Sequence, residues 1–519
     1  MHFLLKIFKN LAALLIGVLL IFLLEIFFRQ FQPIGILPYL SNHLSLPSYF
    51  FLERGYPQRP PSHNFKSLCP NVQKEKCLSI LVLGGSSSWG LPFGPTSSFS
   101  GRLKTLIENK NSTAHVEVIN AAYPSRSSVS ALEALKEISV FHPKITLVYT
   151  GHNELLPTNY RIKRLAVEMP LFFDLAELLK RNSAIYLYLK KSLSHFNQDE
   201  ALFTEYGASY DLDKAKKLAL REYEKNLKEI VKISKRSNSL PIMMTLLTNI
   251  SDWESITAPG NTDLDQIDAL SDEMSALYEK GSLIDLQTHF NRFQSLFKLE
   301  TNHSRIHYWL GKIALKKGDC KNARIEFEKA LVLDRSTLRA LPEINSLIRS
   351  VAKSEKVPLI DSEFELSRST PCHLIGKGLT LDPMHPTEKT HFEIAKRLYA
   401  ALKVPFSLNP LPSTEKVAIR LNPNALQETA WFYLGIKRFY QALSYFKKIP
   451  NTPSSQGVLL GKLLAELGLN QMAAAAKTFK ELNNIEPINS KTIETRIREH
   501  LGSAANRVLS RFQKIKTRN

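Results

Sequence analysis

A serine in a glycine-rich turn, an asparagine just after a strand, and an aspartate three residues ahead of a histidine can together cleave an ester. This chain carries such parts in four short stretches. They are Gly84-Gly85-Ser86-Ser87-Ser88-Trp89-Gly90, Asn120 with Ser125, Gly151-His152-Asn153-Glu154, and Asp382-Pro383-Met384-His385-Pro386. A serine hydroxyl attacks an ester only if a base takes its proton and donors stabilise the resulting oxyanion. Ser86 fits the nucleophile, with Ser87 and Ser88 as rivals on sequence alone. Asn153 offers a side-chain amide to the oxyanion. Asp382 and His385 can share one loop, the carboxylate fixing the imidazole tautomer and stabilising the imidazolium. Each stretch alone also reads as an ordinary turn or helix cap, and His152 reads as a solvated loop imidazole.

The elements around these stretches alternate. Ser79–Leu83, Val116–Ile119, Ile145–Tyr149, Pro241–Leu247 and Val357–Ile360 read as short apolar strands. Helical spacing appears at Phe99, Leu103, Leu106 and Ile107, at Val129, Leu132, Leu135 and Ile138, and over Phe392–Leu402. Strands separated by helices imply a parallel sheet in an α/β domain with helices on both faces. Sites in such sheets lie beyond the carboxyl ends of the strands. Ser86, Asn120 and Asn153 all follow expected strands.

The chain has 519 residues, 44% of them hydrophobic, which is enough for packed cores. Its 68 Lys and Arg against 48 Asp and Glu give a formal charge of +20. A basic protein favours anionic partners. No nucleic-acid-binding motif is present, so a membrane or an envelope polymer is the expected anionic partner. Residues 11–28 are apolar apart from Glu25. Eighteen helical residues reach about 27 Å, close to the hydrocarbon thickness of a bilayer. Lys6 and Lys9 precede the stretch and Arg29 follows it. That places the N-terminus in the cytoplasm and the bulk of the chain in the periplasm or at the cell surface. An uncleaved signal anchor is expected, with a cleaved signal peptide as the alternative. Of four cysteines, Cys69 and Cys77 could bridge before the first strand or remain buried thiols.

Residues 29–77 read as a juxtamembrane connector and 78–402 as the α/β domain. Two helical insertions interrupt that domain: a cap or lid at 155–239, with helices at Leu171–Leu189 and Lys214–Ser234, and a second at 265–345. The second carries Gly311, Ala314, Gly318, Ala323, Phe327 and Ala330. That spacing is similar to the TPR helix-turn-helix repeat of about 34 residues, in which small residues sit where helices cross. His307 and Arg335 replace its usual Trp and Pro. Further matches at Tyr433, Ala442, Phe446, Gly461, Gly468 and Ala473 mark TPR-like repeats over 410–487, or ordinary helical hairpins. Residues 488–519 form a basic tail, either a frayed solvated end or an amphipathic helix on an anionic surface.

The four stretches, in this order, resemble the blocks of the SGNH (GDSL-like) serine hydrolases. The third block is most similar to that of membrane-anchored, TPR-containing members. The resemblance implies Ser86 as nucleophile, His385 as base and Asp382 as its orienting partner. It implies Asn153 and the backbone N–H groups of Ser86 and Ser125 as the oxyanion hole. The chain departs from the family pattern at Gly85, where Asp is usual, at Ser125, where Gly is usual, and at Glu154, where Asp is usual. No metal or organic cofactor is implied. The expected substrate is an acylated small molecule, envelope glycan or lipid, with a protein partner at the repeats. A sugar acceptor would make the same site an O-acyltransferase, and loss of activity would leave a TPR scaffold.

Overall fold

The structure is a computed structural model. It describes residues 77–111, 115–155, 212–256, 264–297, 302–336, 338–411, 423–450, 456–485, 490–501 and 504–516, with Leu19, Leu20, Leu23, Leu24 and Phe27. Those five residues are helical and exposed; the rest of the expected 11–28 anchor lies outside the described residues, as do 29–76 and the helix expected at Leu171–Leu189. Among the described residues no helix is long and apolar enough to cross a membrane. The chain divides into two units. One comprises Met1–Gly85, Ile107–Met244 and Ser346–Leu359; the other comprises Ser86–Leu106, Thr245–Asn345 and Ile360–Asn519.

The first unit carries a parallel sheet. Its strands are β1 (Cys77–Gly84), β2 (His115–Asn120), β3 (Ile145–Tyr149), β4 (Leu240–Met244) and β5 (Leu359–Ile360), in the order β2-β1-β3-β4-β5. β1 pairs in parallel with β2 and β3, and β3 with β4. All eight β1 residues are buried, so both faces of this inner strand are covered. In chain order α1 (Ser86–Trp89) and α2 (Phe99–Lys110, up to Leu106) belong to the second unit, and α3 (Ser128–Ile138) belongs to the first. α3 buries Ala131, Leu132 and Leu135. α4 (Leu212–Arg236) buries Tyr223, Leu227, Ile230 and Val231, and packs on α3 and β4. The helix expected at Lys214–Ser234 is therefore a layer of this unit rather than part of a lid. Its apolar face is continuous enough to cover a sheet.

The strand expected at Pro241–Leu247 stops at Met244. Beyond it, Asn345 holds Leu246 by both polar ends of its side chain. The Leu246 N–H donates to Asn345 Oδ1 at 2.8 Å, and Asn345 Nδ2 donates to the Leu246 carbonyl at 2.9 Å. A side-chain amide thus replaces a neighbouring strand, which an apolar run cannot announce.

The second unit is mainly helical. α5 (Leu264–Lys280), α6 (Leu283–Ser295), α7 (Ser304–Lys316) and α8 (Cys320–Leu333) surround one cluster of buried apolar residues. α9 (Pro342–Ser354) starts in this unit and from Ser346 belongs to the first; α10 (Ser362–Ser367) and α11 (Glu388–Lys403) follow in the second. Then come α12 (Pro423–Gly435), α13 (Phe439–Phe446), α14 (Gln456–Gly468), α15 (Met472–Ile485), α16 (Ser490–Leu501) and α17 (Ala505–Lys516), which share a second cluster. A Cys320–Cys372 disulfide ties the start of α8 to a distant loop, and Cys77 is also disulfide-bonded. The described part of the basic tail is not frayed. Ile493, Ile497, Leu501, Val508, Leu509, Phe512 and Ile515 face the core, while the many charges face outward.

Small residues seat rings between adjacent helices. A Cβ at Gly311 would stand 2.7 Å from Phe327, one at Gly468 2.4 Å from Phe439, and one at Gly461 2.1 Å from Phe446. Phe446 is buried against Trp431 and cannot swing away cheaply. Gly461→Ala is expected to lower stability by about 1–3 kcal/mol through overpacking. Gly435→Ala, where an added Cβ meets nothing within 4 Å, leaves stability unchanged or slightly raised. Urea denaturation of the two variants checks the contrast.

Candidate active site

Within the second unit, Ser86, His385 and Asp382 form a hydrogen-bonded chain. Ser86 Oγ lies 2.7 Å from His385 Nε2, and His385 Nδ1 lies 2.5 Å from Asp382 Oδ2. An ionised carboxylate only accepts, so Nδ1 carries the proton and Nε2 is left to accept the Ser86 O–H. Asp382 Oδ1 also accepts the backbone N–H groups of Met384 at 2.9 Å and His385 at 2.8 Å. Burial pushes the Asp382 carboxyl up, but the His385 charge, its hydrogen bond and the two N–H donors together leave it below the usual carboxylate range. The side chain stays ionised and holds the imidazole in one tautomer.

The turn that presents this pair is fixed from outside. Its ends meet at an antiparallel bridge between Thr380 and Pro386, and the Leu381 N–H donates to the His385 carbonyl at 2.8 Å. The next carbonyls then each receive a donor. Leu381 accepts the hydroxyls of Tyr433 at 2.9 Å and Tyr445 at 2.6 Å. Asp382 accepts Asn249 Nδ2 at 3.1 Å, and Pro383 accepts the Asn249 N–H at 2.9 Å. Met384 accepts Ser87 Oγ at 2.9 Å. That last contact separates the rival serines: Ser87 Oγ bonds Met384 and Ser86 Oγ bonds His385, while Ser88 is fully buried. Tyr445 and Asn249 were not found from sequence, and Tyr433 was marked there only as a repeat position. Their partners lie 52 to 133 positions away, and no local spacing marks them as supports of this turn.

Behind His385 lies His391, six positions on along the chain and wholly buried. Its Nδ1 accepts the Phe99 N–H at 3.2 Å. Burial, with the charges of His385 and Arg102, pushes its pKa down from 6.5 to about 3. The folded protein thus holds His391 neutral where the unfolded chain protonates it. The stabilisation is complete above pH 6.5 and is lost as the pH falls toward 3. This group contributes a slope of about 1.4 kcal/mol per pH unit in that window. His391→Asn, whose Oδ1 can still accept the Phe99 N–H, is expected to flatten the pH dependence of unfolding by urea between pH 6 and 4.

In the first unit, the segments after β1, β2 and β3 are built as follows. Asn153 Nδ2 donates to the Arg126 carbonyl at 2.9 Å. A Cβ added to Gly85 would stand 2.4 Å from that same Nδ2 and 3.2 Å from the Arg126 carbonyl. Gly85 therefore has no room for the carboxylate usual before the serine, because the Asn153 amide fills the space. Gly85 directly precedes Ser86 in the chain. Ser125 has φ 62°, the left-handed conformation that glycine adopts most readily. Serine there keeps its N–H at a backbone cost of about 1 kcal/mol. Glu154 caps α3: Oε1 accepts the Ser128 N–H at 2.7 Å and Oε2 accepts Ser128 Oγ at 2.9 Å. Asn120 Oδ1 accepts the Ala122 N–H at 3.1 Å and shapes the turn after β2. His152 is not solvated. It is buried, 6.3 Å from the Tyr149 ring centroid, because the chain after β3 turns inward.

Among the described residues no group of His, Cys, Asp and Glu could hold a metal ion. No protein-family model matches the chain, and no curated protein matches it. Solved structures do align with it. One is a psychrotrophic esterase from Pseudoalteromonas sp., at 12% identity over 64% of this chain and 99% of that one, TM-score 0.28. Another is a lipase/acylhydrolase from Enterococcus faecalis, at 10% identity over 64% and 98%, TM-score 0.28. A third is an acetylxylan esterase from Geobacillus stearothermophilus, at 11% identity over 63% and 95%, TM-score 0.28. At TM-scores this low the likeness carries no argument, and the chemistry rests on the distances around Ser86.

Proposed function

We propose that the protein is a serine esterase of the SGNH type. The observation that carries this reading is the chain of contacts from Ser86 Oγ to His385 Nε2 and from His385 Nδ1 to Asp382. His385 takes the Ser86 proton as Oγ attacks the ester carbonyl. The Ser86 N–H is the oxyanion donor at the nucleophile itself, and the Ser125 N–H and the Asn153 amide are the further donors that the sequence resemblance implies. The tetrahedral intermediate collapses, His385 protonates the leaving alcohol, and an acyl-Ser86 ester remains. Water, deprotonated by His385, then releases the acid and regenerates Ser86. No cofactor takes part.

The anchor at 11–28 would hold the enzyme outside the cytoplasm. The Cys320–Cys372 disulfide supports an oxidising compartment. The exposed leucines at 19, 20, 23 and 24 suit a lipid-facing helix. O-acyl groups of envelope glycans or lipids are the proposed substrates. The helical hairpins, with Gly311, Gly461 and Gly468 each seating a ring, are read as degenerate TPR units available to a partner protein. Turnover of a short-chain p-nitrophenyl ester tests the activity. Hydrolysis by the full chain is the expected result. A folded protein with no turnover and no reaction with a fluorophosphonate would favour the scaffold reading.

A further inference from the structure

A second cavity lies in the helical unit, walled by α5, α7, α12 and α13, with a volume of about 80 Å³. Its lining combines aromatic faces with an unbalanced positive charge. Lys312 Nζ is 2.8 Å from Asp252 and stands 3.7 Å over the Tyr278 ring. Lys377 Nζ is 2.5 Å from Glu279, and the Lys377 N–H donates to Asp252 Oδ2 at 3.0 Å. Those two ammonium groups are neutralised by two carboxylates. Both carboxylates are ionised. Burial pushes Asp252 up but Lys312 and Lys377 bring it down to about 2, and Lys377 likewise holds Glu279 low against burial.

Lys448 is the third ammonium lining the cavity. It sits 4.7 Å over the Tyr445 ring, and among the described residues no carboxylate is within ion-pair distance of it. Burial and the Lys377 charge push its pKa down against the opposing pull of Glu279, and an incoming anion would raise it. A bare inorganic anion is usually gripped by several converging N–H groups. Here one surplus cation is surrounded instead by tyrosine rings, with Gln441, Ser444 and Ser275 between them. Ring faces suit the C–H face of a pyranose, and hydroxyl and amide groups suit its hydroxyls.

We propose that this cavity binds an acidic sugar residue, with its carboxylate inside at Lys448 and its ring at the mouth against the partly exposed Tyr278 and Tyr440. Two of the wall residues, Tyr433 and Tyr445, also donate to the Leu381 carbonyl, one residue before Asp382. The pocket thus shares a wall with the catalytic turn and would hold a neighbouring sugar of an acylated acidic glycan. That last assignment rests on the esterase reading; the binding itself does not.

The test is calorimetric titration of the full-length Ser86→Ala protein with a trimer of uronic acid, alongside a neutral trisaccharide of the same linkage. Saturable uronate binding is expected, at least tenfold tighter than the neutral trimer. Lys448→Glu should weaken it at least tenfold, and Lys448→Arg should hold it within about threefold. Equal binding of the neutral trimer, no saturation, or an unchanged Lys448→Glu protein would overturn the proposal. Inorganic phosphate or a peptide carboxylate binding as tightly as the uronate would leave a bare anion site and overturn the sugar. Ester turnover by the Lys448 variants is measured in parallel in the Ser86 protein. No saturable uronate binding by the Ser86→Ala protein, with ester turnover by the Ser86 protein, sinks the pocket alone; saturable uronate binding with no turnover by the Ser86 protein sinks the esterase reading alone.

Discussion

Ser86→Ala is expected to lower kcat for a short-chain p-nitrophenyl ester by at least about 10⁴-fold while leaving the fold intact. The change deletes one hydroxyl, the one bonded to His385 Nε2, so little packing is lost. KM should move far less than kcat, because the hydroxyl bonds to the acyl carbon during reaction rather than gripping the substrate beforehand. Ser87→Ala is the informative contrast. Ser87 bonds the Met384 carbonyl, so its loss loosens the turn that carries His385 without removing the nucleophile. Its activity should fall by about tenfold or less, the size expected for one lost hydrogen bond. Equal losses in the two variants would contradict the assignment of the nucleophile.

Asp382→Asn should cost about 10⁴-fold in kcat although its shape is nearly unchanged. The asparagine oxygen can still accept the Met384 and His385 N–H groups, so the turn survives. Its nitrogen, however, donates toward His385 Nδ1 where the carboxylate accepted. The imidazole then keeps its proton on Nε2 and cannot accept one from Ser86. Steady-state kinetics at pH 7, with circular dichroism as the fold control, measure the effect. A variant within tenfold of the parent would mean that the carboxylate does not set the tautomer.

How much of this was legible beforehand differs by element. The strands of the sheet were readable because a strand buried on both faces is an unbroken apolar run bounded by turn residues, as in Cys77–Gly84 and Ile145–Tyr149. Asp382 and His385 were readable as a pair because their contact is local. Ser86 was readable as a serine in a flexible turn, but its separation from Ser87 and Ser88 was not. That distinction depends on carbonyls and imidazoles 297 and 299 positions away. The roles of Tyr433, Tyr445 and Asn249 at the turn escaped for the same reason, as did the bond from Cys320 to Cys372.

Two readings erred for another reason. Of the two alternatives for residues 488–519, the solvated end followed composition, in which charge dominates, yet Ile493, Ile497 and Leu501 recur at helical spacing and are buried. The helix at 214–234 looked like part of a lid because it lies within a long insertion, but its apolar face packs on α3 and β4. Periodicity outweighs composition in both. At Gly85 the absence of a side chain has a local reason that only coordinates supply, since Asn153 occupies the space one would need.

The central claim is that Ser86 alone is activated for attack. Its most direct measurement is peptide mapping by mass spectrometry after reaction of the full chain with a fluorophosphonate. The account predicts one phosphonyl adduct, on Ser86, which disappears in His385→Ala and in heat-unfolded protein. An adduct on Ser87, on Ser88 or elsewhere, or no adduct on folded protein, would contradict it.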